Sequence, residues 1–246
     1  MRIDLPALKR SQAERQDAFR SRHHPADRIK PSLFQYDHLV LHSLAADVET
    51  LLAEPCSRPD VKARTALDVG SDRSPYREAL AQRAWTVQTL DIEAGPGVDH
   101  VGTAERTGLA DNSFDLVLCT QVIEHCLDPC SAMRELYRVV RPGGYLLWTV
   151  PHIWFYHPHP MDNWRFTPEG VARLSEAARF EVVQLLGQGG PAATLFQVFN
   201  FCVFGVLGRY GAPIYLVSNA FGRIVDPLAP NPLLCLNFAC LCRKPR

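Results

Sequence analysis

The chain has 246 residues, 26 of them Lys or Arg and 26 Asp or Glu, so its formal net charge is zero with histidine neutral. That length suits one large α/β domain with an elaboration, and the balanced charge excludes a whole-molecule field that would gather nucleic acid or an anionic membrane. Eight cysteines are present, yet neither Cys126 with Cys130 nor Cys240 with Cys242 makes the paired CxxC pattern of a structural zinc site, so no metal is expected.

Residues 1–31 read as an exposed arm, polar and charged, with Arg20, Arg22, His23, His24 and Arg28 crowded ahead of Pro31. Arg2, Asp4 and Lys9 precede any apolar run, which is not the pattern of a secretory signal, and a cytoplasmic location is expected. From Phe34 to Leu52, apolar residues recur at Leu39, Leu41, Leu44, Val48 and Leu51, a spacing that predicts one or two helices lying on a core. Residues 1–60 are thus expected as arm and helical cap, and 61–246 as the main domain.

A regular alternation follows. "TALDV" (65–69) predicts a buried strand, "YREALAQRA" (76–84) a helix, "TVQTLD" (86–91) a second strand and "VDHVG" (98–102) a short third. "FDLVLCTQV" (114–122) predicts a fully apolar strand, "PCSAMRELYRVV" (129–140) an amphipathic helix, "RPGG" (141–144) a helix stop and turn, and "YLLWTV" (145–150) another strand. "TPEGVARLSEAA" (167–178) is a helix capped by Thr167, and "FEVVQLL" (180–186) and "LNFACLC" (236–242) complete the strands. Strand and helix in alternation imply right-handed crossovers, and the expected fold is α/β: a doubly wound, mostly parallel, seven-stranded Rossmann-like sheet. An apolar insertion, residues 187–235, precedes the last strand.

Ligands of such sheets bind beyond the carboxyl ends of the strands. The first strand therefore delivers Asp68 and Gly70 to the site, and the second delivers Asp91, whose two oxygens can accept from two ribose hydroxyls. Each acid alone reads as readily as a helix cap or a polar turn; their joint placement points to an adenosine-containing ligand.

The succession "LDVGSDRSPY", "LDIE", "NSFDLVLCTQVIEH", "RELYRVVRPGGYLLWTVP" and "HPMDNWRFTPEG" resembles the class I S-adenosylmethionine-dependent methyltransferases, over roughly residues 62–186. It is most similar to a bacterial branch with an RPGG turn followed by an HPxPxDxWRFT-like segment. The resemblance implies S-adenosylmethionine as cofactor. It further implies that Asp68, Gly70 and Ser71 line the methionine end, where the amides opening the next helix face the carboxylate. By the same resemblance Asp91 holds the ribose, Ile92 packs on the adenine, Thr103 and Ala104 meet the adenine edge, and Thr120 and Gln121 approach the methionine amino group. Two features depart from the family pattern. The usual GxGxG is here Gly70, Asp72 and Ser74, and Thr103 stands where an acid is common. Aspartate tolerates a left-handed backbone, but its charge opposes the cofactor's carboxylate, so weakened binding is expected.

Methyl transfer is an in-line displacement at a sulfonium, which demands alignment of nucleophile and methyl, and a hydroxyl acceptor must also lose a proton. "PHIWFYHPHPMDNWRF" (151–166) gathers His152, His157, His159, Asp162 and Arg165 among Trp154, Phe155, Tyr156 and Trp164. Histidine is the usual base near neutral pH. The catalytic candidates are His125 after the fourth strand, His157, and Asp162 as the group that orients a histidine, while Arg165 is a candidate for holding a substrate anion. A self-satisfied Pro-rich loop and a metal site are the other readings of this loop.

The segment 192–208 is interrupted by Gln197 and Asn200 and falls short of the roughly 20 apolar residues a spanning helix needs. A lid over a greasy substrate, an interfacial helix giving peripheral membrane contact, a homodimer contact and core packing all stay open. The function expected is methylation of a hydroxyl oxygen on a small or lipid-linked acceptor, with no nucleic-acid partner. The alternatives are transfer to nitrogen or carbon and a catalytically silent cofactor-binding or scaffold protein. A nicotinamide-dependent dehydrogenase would want GxGxxG, which residues 70–75 lack.

Overall fold

In the central strands successive side chains enter two different cores. Ala66, Leu116, Leu118, Tyr145 and Leu147 pack on one face of the sheet, while Leu67, Val117, Cys119, Leu146 and Trp148 pack on the other. Burial on both faces explains why these strands read as unbroken apolar runs. The computed structural model describes residues 3–11, 25–57, 64–72, 74–158 and 161–246. Arg20, Arg22, His23, His24 and His159, singled out above, lie outside the described residues.

The strands are β1 (Thr65–Val69), β2 (Thr86–Asp91), β3 (His100–Val101), β4 (Phe114–Thr120), β5 (Val140–Pro151), β6 (Glu181–Gln188) and β7 (Asn237–Arg243). They form one seven-stranded sheet in the order β3-β2-β1-β4-β5-β7-β6, parallel except for β7, which runs antiparallel to both neighbours. The expected doubly wound, mostly parallel sheet is therefore present. Helix α1 (His38–Ser57) lays Leu44, Val48, Leu51 and Leu52 on one face, and the Tyr145 hydroxyl donates to Glu54 at 2.9 Å. Helices α3 (Pro129–Val139) and α4 (Pro168–Ala177) cover the other face. Each begins as its sequence dictates: Asp128 accepts from the Cys130 amide and Thr167 from the Gly170 amide, with proline in the first turn.

Several boundaries differ from expectation. The helix expected over 76–84 shrinks to α2 (Arg77–Ala81), because the chain reverses through Ala84 at φ +61 to enter β2. The third strand is only two residues long. β4 stops at Thr120 because Gln121 takes φ +57 and a 3-10 turn, Ile123–His125, follows. Arg141–Gly144 is not a turn outside the sheet: β5 starts at Val140 and carries these residues as a bulge. The Gly143 amide donates to the Lys244 carbonyl, and Gly144 leaves no room for a Cβ, which would stand 2.9 Å from the Arg141 and Asp115 carbonyls.

β6 runs on to Gln188, so the insertion starts later than residue 187. It forms a helical hairpin, α5 (Pro191–Leu207) and α6 (Ala212–Val225), joined by a 3-10 turn over Gly208–Gly211.

Candidate active site

β1 and β2 lie side by side in parallel register, Asp68 opposite Thr89 and Val69 opposite Leu90, so both acids reach the same end of the sheet. Each is first of all part of the loop between β1 and α2. Asp68 is buried and accepts from the Ser74 hydroxyl at 3.0 Å, and Asp91 accepts from the Asp72 amide at 2.8 Å. Burial raises the Asp68 carboxyl to about 6, against the Ser74 hydrogen bond. The loop passes three left-handed residues, Gly70 at φ +66, Asp72 at +45 and Ser74 at +47. Only the first is closed to side chains, since a Cβ on Gly70 would come within 2.3 Å of Val122 Cγ2.

The loop amides ahead of the helix are committed: Gly70 and Ser71 both donate to the Leu90 carbonyl and Asp72 donates to Asp91, while α2 itself has five residues. What the loop does offer is the Ser71 hydroxyl, buried and without a hydrogen-bond partner among the described residues. Beyond β2, Ile92 stands exposed where an adenine face would pack. Ala104 is buried close by in sequence to Thr103, whose hydroxyl accepts from the Arg106 amide at 3.1 Å. Thr120 is buried at the end of β4, and the Gln121 side-chain amide donates to Thr149 at 3.1 Å. An orphaned serine hydroxyl, an exposed isoleucine and a carboxylate at adjacent strand ends fit an adenosyl ligand with a polar tail.

The loop 151–166 folds down on the turn after β4. The Asn163 and Trp164 amides donate to the Glu124 carbonyl at 2.9 and 3.2 Å, and the Trp164 indole donates to the Cys126 carbonyl at 2.9 Å. His125 and His157, far apart in sequence, thereby meet edge to face with ring centroids 5.1 Å apart. His125 Nδ1 bonds the Met161 carbonyl, and His157 Nδ1 lies 2.9 Å from the Phe155 carbonyl and 3.2 Å from Asp162 Oδ2. Acceptors at both Nδ1 atoms place the proton there and leave both Nε2 atoms as lone pairs. Burial keeps His125 neutral, its pKa pushed down to about 4.

Both lone pairs converge on Glu124, with Oε1 3.7 Å from His125 Nε2 and 4.0 Å from His157 Nε2. This carboxylate is fully buried, and neither oxygen has a hydrogen-bond partner among the described residues. Desolvation raises it to about 7, against its own backbone hydrogen bond and the charge of His157. Glu124 is not among the residues the sequence singles out; an acid beside a histidine just past a strand end is the available signal. The three side chains offer one carboxylate and two imidazole ligand atoms within 4.8 Å of one another, a set that suits a divalent cation.

Asp162 faces both His157 and Arg165. Burial opposes its charge, but hydrogen bonds from both Arg165 guanidinium nitrogens and from His157 outweigh that and hold it well below the usual carboxylate range. Arg165 also donates to the Trp154 and Phe155 carbonyls, so it is committed to the loop and not to a substrate anion. His152 stands apart, bonded to the Phe166 carbonyl at 2.7 Å and packed on Phe238.

Residues 67–148 match the family model described as a methyltransferase domain. This segment, on the sheet already described, is an S-adenosylmethionine-dependent methyltransferase domain. S-Adenosylmethionine is the cofactor of this family, and the residues described fit it. The chain is 35% identical over 110 residues to a ubiquinone biosynthesis O-methyltransferase of Pseudomonas entomophila, covering 38% of this chain and 47% of the relative. A second such enzyme, from Pseudomonas paraeruginosa, is 31% identical over 102 residues, with 35% and 44% covered. The chain thus spans about half the length of the curated relatives it matches. Among solved structures, the 1,6-didemethyltoxoflavin-N1-methyltransferase of Burkholderia thailandensis, with bound 1,6-didemethyltoxoflavin and S-adenosylhomocysteine, superimposes with a TM-score of 0.59 at 14% identity, covering 100% of this chain and 93% of that one. The [4+2]-cyclase SpnF gives 0.55 at 19% identity, with 82% and 81% covered. At such identities these two show the fold alone, and their names already differ in reaction.

Proposed function

We propose that this class I methyltransferase domain transfers a methyl group to a hydroxyl oxygen of a small or lipid-linked acceptor. The observation that carries the reading is the Asp162–His157 pair, with an Nε2 lone pair free beside the turn that ends β4. Asp162 orients the imidazole. His157 Nε2 takes the hydroxyl proton as the oxygen attacks. When bound, S-adenosylmethionine supplies an electrophilic methyl on sulfur. Asp91 accepts from the ribose hydroxyls, Ser71 donates to the polar tail, Ile92 covers the adenine, and Trp154, Phe155 and Tyr156 wall the acceptor. O-Methylation by the partial relatives from Pseudomonas supports oxygen as the acceptor atom.

The test is calorimetry with S-adenosylhomocysteine followed by a methyl-release assay on phenolic, aliphatic-hydroxyl and amine acceptors. Release confined to amines overturns the oxygen assignment, and cofactor binding with no release on any acceptor favours a silent binding protein.

The two unpartnered oxygens of Glu124 favour a second reading, in which Glu124, His125 and His157 hold a divalent cation. The cation would bind the acceptor oxygen and lower the pKa of its hydroxyl. Activity that chelator abolishes and magnesium, manganese or zinc restores selects this reading; activity indifferent to chelator selects His157 as base.

A further inference from the structure

The α5–α6 hairpin is built inside out. Its inward positions carry amides beside the buried Ala193 and Tyr215: Gln197, Asn200 and Asn219 are each 0% exposed. Its outward positions are apolar: on α5 Leu195, Phe199 and Val206, the last 84% exposed, and on α6 Ile214, Val217, Phe221 and Ile224, with Val217 at 69%. On α6 the exposed residues recur every three or four positions, the spacing of one helix face. A surface helix of a water-soluble domain turns that face inward.

The buried amides show why the hairpin holds this orientation. Gln197 donates to the Tyr36 carbonyl at 2.7 Å and accepts from the Val40 amide at 3.2 Å. Asn200 donates to Asn219 at 2.8 Å, and Asn219 in turn donates to the Leu33 and Gln35 carbonyls, each at 2.8 Å. Rotating either helix to hide its apolar face would break this set and leave buried carbonyls unpaired. The outward apolar face is therefore fixed.

What covers it follows from charge and shape. From Pro191 to Val225 there is no carboxylate, and the only charged side chains are Arg209 and Arg223, both exposed. Arg209 sits in the turn at the end of α5 with its guanidinium over the Tyr210 ring, 5.1 Å from the centroid, and Tyr210 itself is exposed. Leu228, Leu233 and Leu234, just past α6, extend the exposed apolar surface beyond the helices. A broad apolar face with cationic and aromatic residues and no acid matches the headgroup region of an anionic bilayer. A paired second copy would call instead for charges of both signs flanking a narrow seam.

The run 191–228 is long and apolar enough to cross a membrane by length and composition. The break at Gly208–Gly211 folds it in two, and α5, with 17 residues, is only about 25 Å long at 1.5 Å per residue. That is less than the roughly 30 Å of a hydrocarbon core. We propose that the α5–α6 hairpin is an interfacial element that beds its outward apolar face into the headgroup region of an anionic membrane without crossing it. Phe201, on α5, stacks on Phe155 of the acceptor loop with centroids 3.6 Å apart, so the docked element adjoins the active site. Docking of this kind holds whichever acceptor atom the enzyme methylates.

The experiment is flotation of the full chain with phosphatidylcholine vesicles and with vesicles containing 30% phosphatidylglycerol, beside light scattering of the free protein. The expected result is flotation with the anionic vesicles and at least a tenfold loss of the bound fraction in Val217→Glu/Ile224→Glu and in Arg209→Glu. All variants should keep the melting temperature and S-adenosylhomocysteine affinity of the wild type. Equal flotation with both vesicle types, no flotation, or a dimer that Val217→Glu/Ile224→Glu splits without any vesicle binding overturns the proposal. Should the double variant misfold, Arg209→Glu alone decides, since its side chain is exposed and carries no core contact.

Discussion

Replacing Gly70 by alanine tests the loop on which the cofactor site depends. Two costs arise together. At φ +66 an L-residue pays about 1–2 kcal/mol for the left-handed backbone, and a Cβ placed 2.3 Å from Val122 Cγ2 forces an overpacking shift worth about 1–3 kcal/mol. The sum is about 2–5 kcal/mol, and at about 2–4 °C per kcal/mol for a chain of this size the melting temperature should drop by roughly 4–20 °C. Val122 opens the turn that carries Glu124 and His125, so the strain also reaches the acceptor side. S-Adenosylhomocysteine affinity should fall along with stability. Gly70→Ala/Val122→Ala separates the two costs: removing the valine methyls relieves the overlap and leaves the backbone term. The double variant should therefore melt above the sum of the single effects, with a coupling of about 1–3 kcal/mol. Strict additivity, or a Gly70→Ala protein that melts like the wild type, refutes the close approach of the β1 and β4 loops.

Asp91→Ala should weaken S-adenosylhomocysteine binding at least tenfold by calorimetry, about 1.4 kcal/mol, and unchanged affinity removes the ribose assignment. Asp91→Asn retains an acceptor for the Asp72 amide and should lose less. His157→Ala should lower kcat by about 10²- to 10⁴-fold with cofactor affinity intact. An unaltered kcat reassigns the base. Glu124 predicts a pH dependence of stability. Its folded pKa, about 7, lies above the 4.5 of the unfolded chain, so the folded state holds the extra proton between those values, and the penalty grows as pH rises through that window. Glu124→Gln should therefore melt like the wild type near pH 4.5 and above it at pH 8, by an order-of-magnitude 3 kcal/mol. A variant less stable at pH 8 shows that the carboxylate is held charged by a partner, as a bound cation would do.

Much of the fold was legible because burial on both sheet faces leaves so clear a mark: β1, β4 and β5 each appear as apolar runs that helices bracket. Arg141–Gly144 was not legible. A proline and two glycines after a helix read as a stop, and only the neighbouring Asp115 and Lys244 backbones turn them into a bulge within β5. Asp68 and Asp91 were visible as strand-end acids, whereas their shared task of closing the β1–α2 loop depends on Ser74 and on the Asp72 amide, which no periodicity announces. Glu124 illustrates a further limit. Its burial is created by residues 161–164 folding onto it from nearly forty positions away, so no window around residue 124 contains the cause.

Glu124 also ties the two halves of the site together. Its backbone carbonyl anchors Asn163 and Trp164, while its carboxylate faces the Nε2 atoms of His125 and His157 unpaired. A buried, unpaired carboxylate costs several kcal/mol unless it is protonated or given a cation. Packing alone would have been served better by glutamine, which keeps the shape and loses the charge. The fold therefore bears a stability penalty at the one position where an acid, two imidazole lone pairs and the end of β4 meet, and strain of this kind is stored where chemistry uses it. The two readings of the site differ in what relieves that penalty, the carboxyl's own proton beside a histidine base or a bound cation. The pH dependence of the Glu124→Gln protein and the effect of chelator on turnover must therefore agree. A Gln variant stabilised at pH 8 together with chelator-sensitive activity would contradict both.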